Sequence, residues 1–118
     1  MGKKIGGTAY VKFDGKQVSL AGSITIQLDN VEREGVTGLS GVVGYNEKPI
    51  VPFVEGEFFM PEDMSMDEIR DITNATITVE LANGKVGTLS QAWNKSANEV
   101  DGDSKFTTRF EGMKGEWQ

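Results

Sequence analysis

Apolar and polar residues alternate over several short stretches of the chain, which is the pattern of a β-strand with one buried face. The clearest stretch covers residues 75–81, where alanine, isoleucine, valine and leucine alternate with threonine and glutamate. Asn83 and Gly84 follow directly, and both residue types tolerate the positive φ that a type I′ turn requires. The sequence therefore predicts a β-hairpin in which residues 85–93 return antiparallel to residues 75–81.

The same alternation predicts further strands along the chain. Residues 8–13 alternate and then meet Asp14-Gly15, a turn signal that predicts a second hairpin with residues 17–20. Other strands are predicted at residues 23–28, 53–60 and 105–110, with a polar connector at 94–104. Gly112 and Gly115 interrupt the pattern after the last of these strands. The chain as a whole predicts a mainly β fold with antiparallel strands.

One short α-helix is predicted to start after Ser65. The Ser65 side chain can accept from a backbone N–H two or three residues on while the Glu68 side chain reaches back, which is a capping box. Met66, Ile69 and Ile72 follow at spacings of three residues. We expect this narrow apolar stripe to cover one end or face of the sheet.

Periodicity disappears between residues 29 and 45, where Gly35, Gly38, Gly41 and Gly44 recur every third residue. This composition predicts a long irregular loop. Such a loop inside a small domain is uncommon, and it is usually either disordered or functional.

The composition indicates one domain, residues 1–118, with a thin core. Only 37% of the residues are apolar, and 15 of the 118 are glycine. The chain contains no cysteine and no histidine, which excludes disulfides, thiolate chemistry and the usual general base at neutral pH. It also contains no signal-peptide-like segment and no apolar run of about 18 residues, so we expect no membrane anchor and synthesis in the cytoplasm.

The net charge of −6 is concentrated in one part of the chain. Residues 47–71 hold eight of the acids and two of the bases, and the remainder is balanced at ten of each. An acidic balance opposes binding to a nucleic-acid backbone, which requires clustered lysine and arginine.

Candidate reaction sites are weak. Glu55 and Glu57 would share one face of a strand, but nothing nearby predicts the burial that would raise the pKa of one of them. The glycines of residues 35–44 lack the spacing of a nucleotide-binding loop, and Asp101-Gly102-Asp103 does not complete a calcium loop. We therefore predict no cofactor, no metal and no enzymatic activity.

The order and spacing of several short motifs resemble those of the tail tube protein of Mu-like, contractile-tailed bacteriophages. The resemblance covers nearly the whole chain, except that no role is carried over to the connector at 94–104. The motifs are GTAYVK (7–12), DGK (14–16), RE (33–34), GYNEKP (44–49), VPFVEG (51–56), ATITVELANGK (75–85), LSQAW (89–93) and RFEG (109–112).

This resemblance implies a structural function. In that family the subunit is a small β-barrel or sandwich with one helix, six subunits close into a ring, and rings stack into the hollow tube through which the genome passes. The subunit of that family is similar in this respect to the tube subunit of type VI secretion systems. The expected partners are other copies of the chain and the tail sheath, tape measure and baseplate proteins of the virion tail, with DNA passing through the tube without specific binding.

Two groups of residues are predicted to carry the assembly. The residues predicted for ring or barrel assembly are Ala75, Ile77, Val79, Leu81, Val86 and Leu89. The residues predicted for ring stacking, all in the long loop, are Val31, Arg33, Glu34, Val36, Leu39 and Tyr45. An alternative from another class stays open, a small β-barrel module that binds a carbohydrate or protein ligand with Trp93 and Trp117 as anchors.

Overall fold

A computed structural model describes residues 10–95 and 98–118 of the chain. The start of the predicted first strand and the first residues of the motif at 7–12 lie outside this part. The elements in chain order are β1 (Tyr10–Phe13), β2 (Lys16–Val18), β3 (Leu20–Gln27), β4 (Val31–Gly38), β5 (Gly41–Pro49), β6 (Phe53–Phe59), α1 (Met66–Arg70), β7 (Ala75–Glu80), β8 (Val86–Asn94), β9 (Glu99–Val100), β10 (Lys105–Glu111) and β11 (Lys114–Trp117). The predicted mainly β fold with one short helix is confirmed.

The main sheet follows one path of hydrogen-bonded neighbours, β2-β1-β7-β8-β10-β6-β3, with β11 added to β8 and β9 added to β10. The paired strands are antiparallel. Its first and last strands, β2 and β3, are separated in sequence by Ser19 alone. The path therefore begins and ends on one bent segment, and the sheet curls round a single core.

Two hairpin turns were predicted, and they differ in type. At the first, Asp14 and Gly15 both have positive φ, 55° and 93°, as the predicted two-residue turn requires. At the second, Gly84 has a φ of 87° but Asn83 is not in the positive region. The Gly84 N–H donates to Leu81 O, and the Leu81 N–H donates to Lys85 O. The type I′ prediction is wrong here, because this geometry is a three-residue loop with glycine at the left-handed position.

Alternate residues of the strands fill the core. Phe13 is central to it, with ring centroids 5.4 Å from Phe58 and 4.8 Å from Phe110, and Phe106 lies 5.8 Å from Phe58. All four rings are buried. Aromatic side chains bury a large area each, so these four compensate for the low apolar content of the chain.

Helix α1 has the predicted capping box. The Glu68 N–H donates to Ser65 Oγ at 3.1 Å, and the Ser65 N–H donates to Glu68 Oε1 at 3.2 Å. Ile69 is fully buried, and Met66 and Ile72 pack at the margin of the core. The predicted apolar stripe therefore anchors the helix against the sheet.

The long loop predicted over residues 29–45 is wrong. The segment forms the antiparallel strands β4 and β5, which pair with each other in a separate two-stranded sheet. Most residues of β4 and all of β5 are exposed. Because neither face is buried, the hairpin has no alternating hydrophobic pattern for sequence analysis to detect.

The C-terminal region also contains more strand than predicted. The connector predicted at 94–104 includes the two residues of β9, and β11 forms where glycines seemed to end the pattern. Gly115 lets β11 approach the segment after β3, because a Cβ at this position would lie 2.5 Å from Leu28 O. This glycine is required for close backbone packing.

We expect Gly115→Ala to destabilise the fold by about 1–3 kcal/mol, because the clash is with backbone that must move. Gly102→Ala is the matched control, since no atom lies within 4 Å of its built Cβ and its φ is not in the positive region. Urea unfolding of both variants measures the difference. Equal midpoints for the two variants would contradict the close packing of β11.

Candidate assembly surfaces

The hairpin β4–β5, residues 31–49, is the most exposed part of the described chain, and we call it the arm. It continues the hairpin formed by β3 and β6. Gln27 lies opposite Phe53, Val31 lies opposite Pro49, and the Ile50 N–H donates to Asn30 O at 3.0 Å between them. One two-stranded ribbon thus runs from the core sheet into the arm.

The arm extends away from the core. A strand running from residue 20 to residue 38 reaches about 60 Å at about 3.3 Å per residue, close to the 59 Å extent of the longest axis. The radius of gyration is 17.0 Å, against about 13.5 Å for a compact domain of this length. The extra length exposes surface that a compact domain would bury.

The arm presents apolar side chains to solvent. Leu39 at the tip is fully exposed, and Val42, Val43 and Tyr45 are 79%, 66% and 60% exposed. An isolated two-stranded hairpin is marginally stable in water, and clustered exposed apolar residues mark interaction surfaces. These features fit a segment that another molecule covers.

Charged residues are confined to the half of the arm next to the core. Lys48 Nζ lies 3.5 Å from a carboxylate oxygen of both Glu32 and Glu34, and Arg33 Nε lies 3.2 Å from Glu47 Oε2. Glu34, and then Glu32, raise the pKa of Lys48 above its usual value. These exposed pairs contribute little stability each, but they join the two strands. The tip, residues 35–46, carries no charged side chain.

The residues predicted for ring stacking all lie on the arm. Val31, Leu39 and Tyr45 are exposed, and the Arg33 guanidinium lies 5.5 Å from the centre of the Tyr45 ring. Val42 and Val43 lie within the segment predicted for stacking but are not among the six residues named for it; their signal in the sequence is a pair of β-branched residues beside a glycine. Their assignment to stacking remains a prediction, but the structure brings the predicted residues together on one element.

The residues predicted for ring assembly lie elsewhere. The side chains of Ala75, Ile77, Val79 and Leu89 are buried in the core, and Leu81 and Val86 are half-buried. In addition, β7 is paired on both sides, with β1 and with β8. The assembly role stays a prediction, but four of the six side chains are occupied with the subunit's own core.

The carboxylates considered for acid/base chemistry are partly exposed and lie on the outer face of β6. Arg109 lies beside them, with Nη1 3.3 Å from Glu55 Oε1, Nε 3.2 Å from Glu111 Oε2, and its guanidinium carbon 3.8 Å from the centre of the Phe53 ring. Glu57 lies beside Gly22, where its Oε1 occupies the space that a Cβ would need. The arrangement is an ion-paired surface cluster in which the Arg109 guanidinium contacts the carboxylates of both Glu55 and Glu111.

The turn at Asp101 is held by its own backbone. Asp101 Oδ1 accepts from the N–H groups of Lys105 and Asp103 at 3.1 Å and 2.8 Å, and these bonds lower the pKa of Asp101. Within residues 10–95 and 98–118, no group of three or more acidic side chains is placed to hold a metal ion. The carboxylate is therefore engaged as a turn acceptor.

The two tryptophans proposed as ligand anchors are separated along β8. Trp117 lies opposite Gly87 and Trp93 lies opposite Glu111, so about 20 Å of strand separates them. Trp117 is 45% exposed, and Trp93 is half-buried. They do not form one binding platform.

Across the described ranges, no helix has the length and apolar character needed to cross a membrane.

Comparisons with known proteins agree with this architecture. The family model described as "Phage tail tube protein" matches residues 2–117. The Mu-like prophage FluMu tail tube protein of Haemophilus influenzae (strain ATCC 51907 / DSM 11121 / KW20 / Rd) is 31% identical over 110 residues, covering 93% of this chain and 92% of that protein.

Solved structures share the fold at low identity. Hcp1 from Flavobacterium johnsoniae has a TM-score of 0.61 at 11% identity, covering 93% of this chain and 94% of that one. The sheath/tube terminator of the extracellular contractile injection system PVC, in the extended state, has a TM-score of 0.63 at 14% identity, covering 94% and 93%. The tube terminating cap of the anti-feeding prophage has a TM-score of 0.59 at 14% identity, covering 93% and 87%.

Proposed function

The chain belongs to the phage tail tube protein family, and from this we propose that its copies close into rings of six, as in the family it resembles. The rings stack through the arm into a hollow tube. As a family member it is a structural subunit of a tail tube. Head-to-tail contacts form a closed ring when the rotation from one subunit to the next divides a full turn into equal steps. A second contact along the ring axis stacks the rings into a tube.

The observation that carries this proposal is the arm. Its tip, residues 35–46, is uncharged and exposes Leu39, Val42 and Val43. Burying one such side chain contributes about 1.5–3 kcal/mol, and every subunit of a ring would supply its own arm. In a stack, the adjacent ring would cover all the arms of one ring at once.

Further partners follow from the same assignment. We place the protein in the virion tail after synthesis in the host cytoplasm, with the sheath around the tube, the tape measure protein inside it and the baseplate at its end. DNA would pass without specific binding, because the net charge of −6 opposes attraction to the phosphate backbone. No catalytic role is included in this proposal.

The proposal is tested by assembly of the purified chain. We expect rings or tubes in negative-stain microscopy at high concentration, and light scattering that rises with concentration because assembly follows mass action. The alternative, a small ligand-binding module, predicts a monomer or an oligomer of fixed size. A strict monomer at every concentration would therefore contradict the tube proposal.

The apolar tip can be tested by one substitution. We expect Leu39→Ala to raise the concentration at which tubes form by about tenfold or more, because the buried contact loses most of its apolar area. Ser40→Ala, the next residue, is the matched control and should assemble like the parent. Light scattering across a dilution series measures both, and identical curves for Leu39→Ala and the parent would exclude Leu39 from the stacking contact.

A further inference from the structure

The loop between β7 and β8 contains a dipeptide whose two residues can react with each other. Asn83 is followed by Gly84, and none of the other five asparagines of the chain precedes a glycine. The backbone nitrogen of Gly84 can attack the side-chain amide carbon of Asn83, and the missing Cβ of glycine leaves this approach unhindered. Both residues are exposed, so water has access to the reacting atoms.

This reaction is a deamidation, and it needs only water and hydroxide. The Gly84 nitrogen gives its proton to hydroxide and forms a bond to Asn83 Cγ, while the bond from Cγ to Nδ2 breaks and ammonia leaves. The intermediate is a five-membered succinimide ring that joins the two residues. Water then adds to one of the two ring carbonyls and opens the ring. One opening gives aspartate, and the other gives isoaspartate, in which the backbone continues through the side-chain carbon.

In the folded loop, hydrogen bonds hold both reacting groups. The Gly84 N–H donates to Leu81 O at 2.9 Å, and this bond shields the proton that hydroxide must remove. Asn83 Oδ1 accepts from the Lys85 N–H at 3.0 Å, which fixes the orientation of the side-chain amide. The Leu81 N–H donates to Lys85 O at 2.8 Å and closes the loop around both groups. The attack on Asn83 therefore requires the loop to open.

The two products differ in whether they fit this loop. Aspartate keeps the ordinary backbone and a side-chain oxygen that can accept from the Lys85 N–H. Isoaspartate lengthens the backbone before Gly84 by one methylene, which moves the Gly84 N–H away from Leu81 O. The loop joins two central strands, because β7 is paired with β1 as well as with β8. A loop that cannot close therefore weakens the middle of the main sheet.

We propose that Asn83 is a site of spontaneous deamidation that the folded loop protects, and that its isoaspartyl product prevents the loop from closing again. The hydrogen bonds of Gly84 and Asn83 link the chemistry to local opening of the structure. The modification then accumulates in proportion to the time that this loop spends open. A subunit that has reacted keeps an additional negative charge and, in the isoaspartyl form, a longer turn.

Peptide mass spectrometry tests the site and its protection. The dilute parent is incubated in mildly alkaline buffer with and without guanidinium chloride, and deamidation is followed at each asparagine. We expect Asn83 to react faster than the other asparagines in the denaturant, and about tenfold or more slowly in its absence. Equal rates at Asn83 in the two conditions would overturn the protection by the loop. A rate at Asn83 no higher than that of the other asparagines in the denaturant would overturn the site.

A variant confirms that the signal comes from ring closure at residue 83. Asn83→Gln keeps a side-chain amide at this position, but its carbon is one bond further from the Gly84 nitrogen and would have to form a larger ring. We expect this variant to lose the fast reaction in the denaturant. Ammonia release from Asn83→Gln at the parent's rate would show that the reaction is located elsewhere in the chain, and would overturn the proposal.

The two products test the second part of the proposal. Deamidated subunits purified by ion exchange contain both isomers, which differ only in the backbone at residue 83. A brief pulse of protease across a urea series digests the unfolded molecules, and the isomers that survive are then quantified. We expect isoaspartyl molecules to be digested at a lower urea concentration than aspartyl molecules, for which Asn83→Asp is the matched control. Equal midpoints for the two isomers would show that the loop accommodates the longer backbone, and would overturn this part.

Discussion

Replacing the arm, residues 31–49, by an Asn-Gly dipeptide is expected to leave the subunit folded and to abolish tube formation. The Ile50 N–H already donates to Asn30 O, so a two-residue turn can close the ribbon at this pair. The arm contributes no residue to the buried core, and shortening the connection from 19 residues to two lowers the entropic cost of closing it by only about 2 kcal/mol. The stacking contact, in contrast, is lost entirely.

Two measurements decide the outcome. Circular dichroism melting reports the fold, and negative-stain microscopy reports tubes under the conditions where the parent forms them. Ser40→Asn is the matched control, because with Gly41 it forms an Asn-Gly dipeptide at the tip of a full-length arm. Tubes of normal length from the armless variant would show that stacking uses another surface, and loss of the melting transition would show that the arm supports the core.

Phe58→Ala is expected to destabilise the subunit by about 3–5 kcal/mol, because it opens a cavity where the structure cannot collapse. Phe58 is fully buried between the rings of Phe13 and Phe106. A loss of this size is a large share of the roughly 5–15 kcal/mol that stabilises a typical domain.

The adjacent residue offers the control. Phe59 is 46% exposed, so Phe59→Ala should change the unfolding free energy by only about 0.5–1 kcal/mol. Urea unfolding at a protein concentration below assembly measures both variants. Similar midpoints for the two variants would mean that the inward and outward faces of β6 are assigned the wrong way round.

Strands with one buried face could be predicted from the sequence. In β7, Ala75, Ile77 and Val79 alternate with polar residues because every second side chain enters the core. The helix could be predicted for a similar reason, since the capping box of Ser65 and Glu68 depends on local contacts alone. Family membership could be inferred because the order and spacing of short motifs match those of the family over nearly the whole chain.

Other features could not be predicted from the sequence, because contacts between distant residues determine them. At the Asn83-Gly84 turn, Gly84 has a positive φ and Asn83 does not. The type of this turn depends on how β7 and β8 pair. Leu89 is buried in the core of its own subunit. Its position in the sequence pattern was equally consistent with an interface between subunits. Sequence alternation shows that a face is covered, but not whether the same chain or another copy covers it.

The sequence by itself determined the mainly β class, the capped helix and the tail tube family, because these depend on local periodicity, capping chemistry and motif order. Only the tertiary structure decided that residues 31–49 form an arm and that β3 is the open edge. The arm has no buried face within the subunit, so hydrophobic periodicity cannot reveal it. Strand β3 is an edge because, among the described residues, it pairs with one strand only. The neighbours of a strand are determined by contacts between distant parts of the chain.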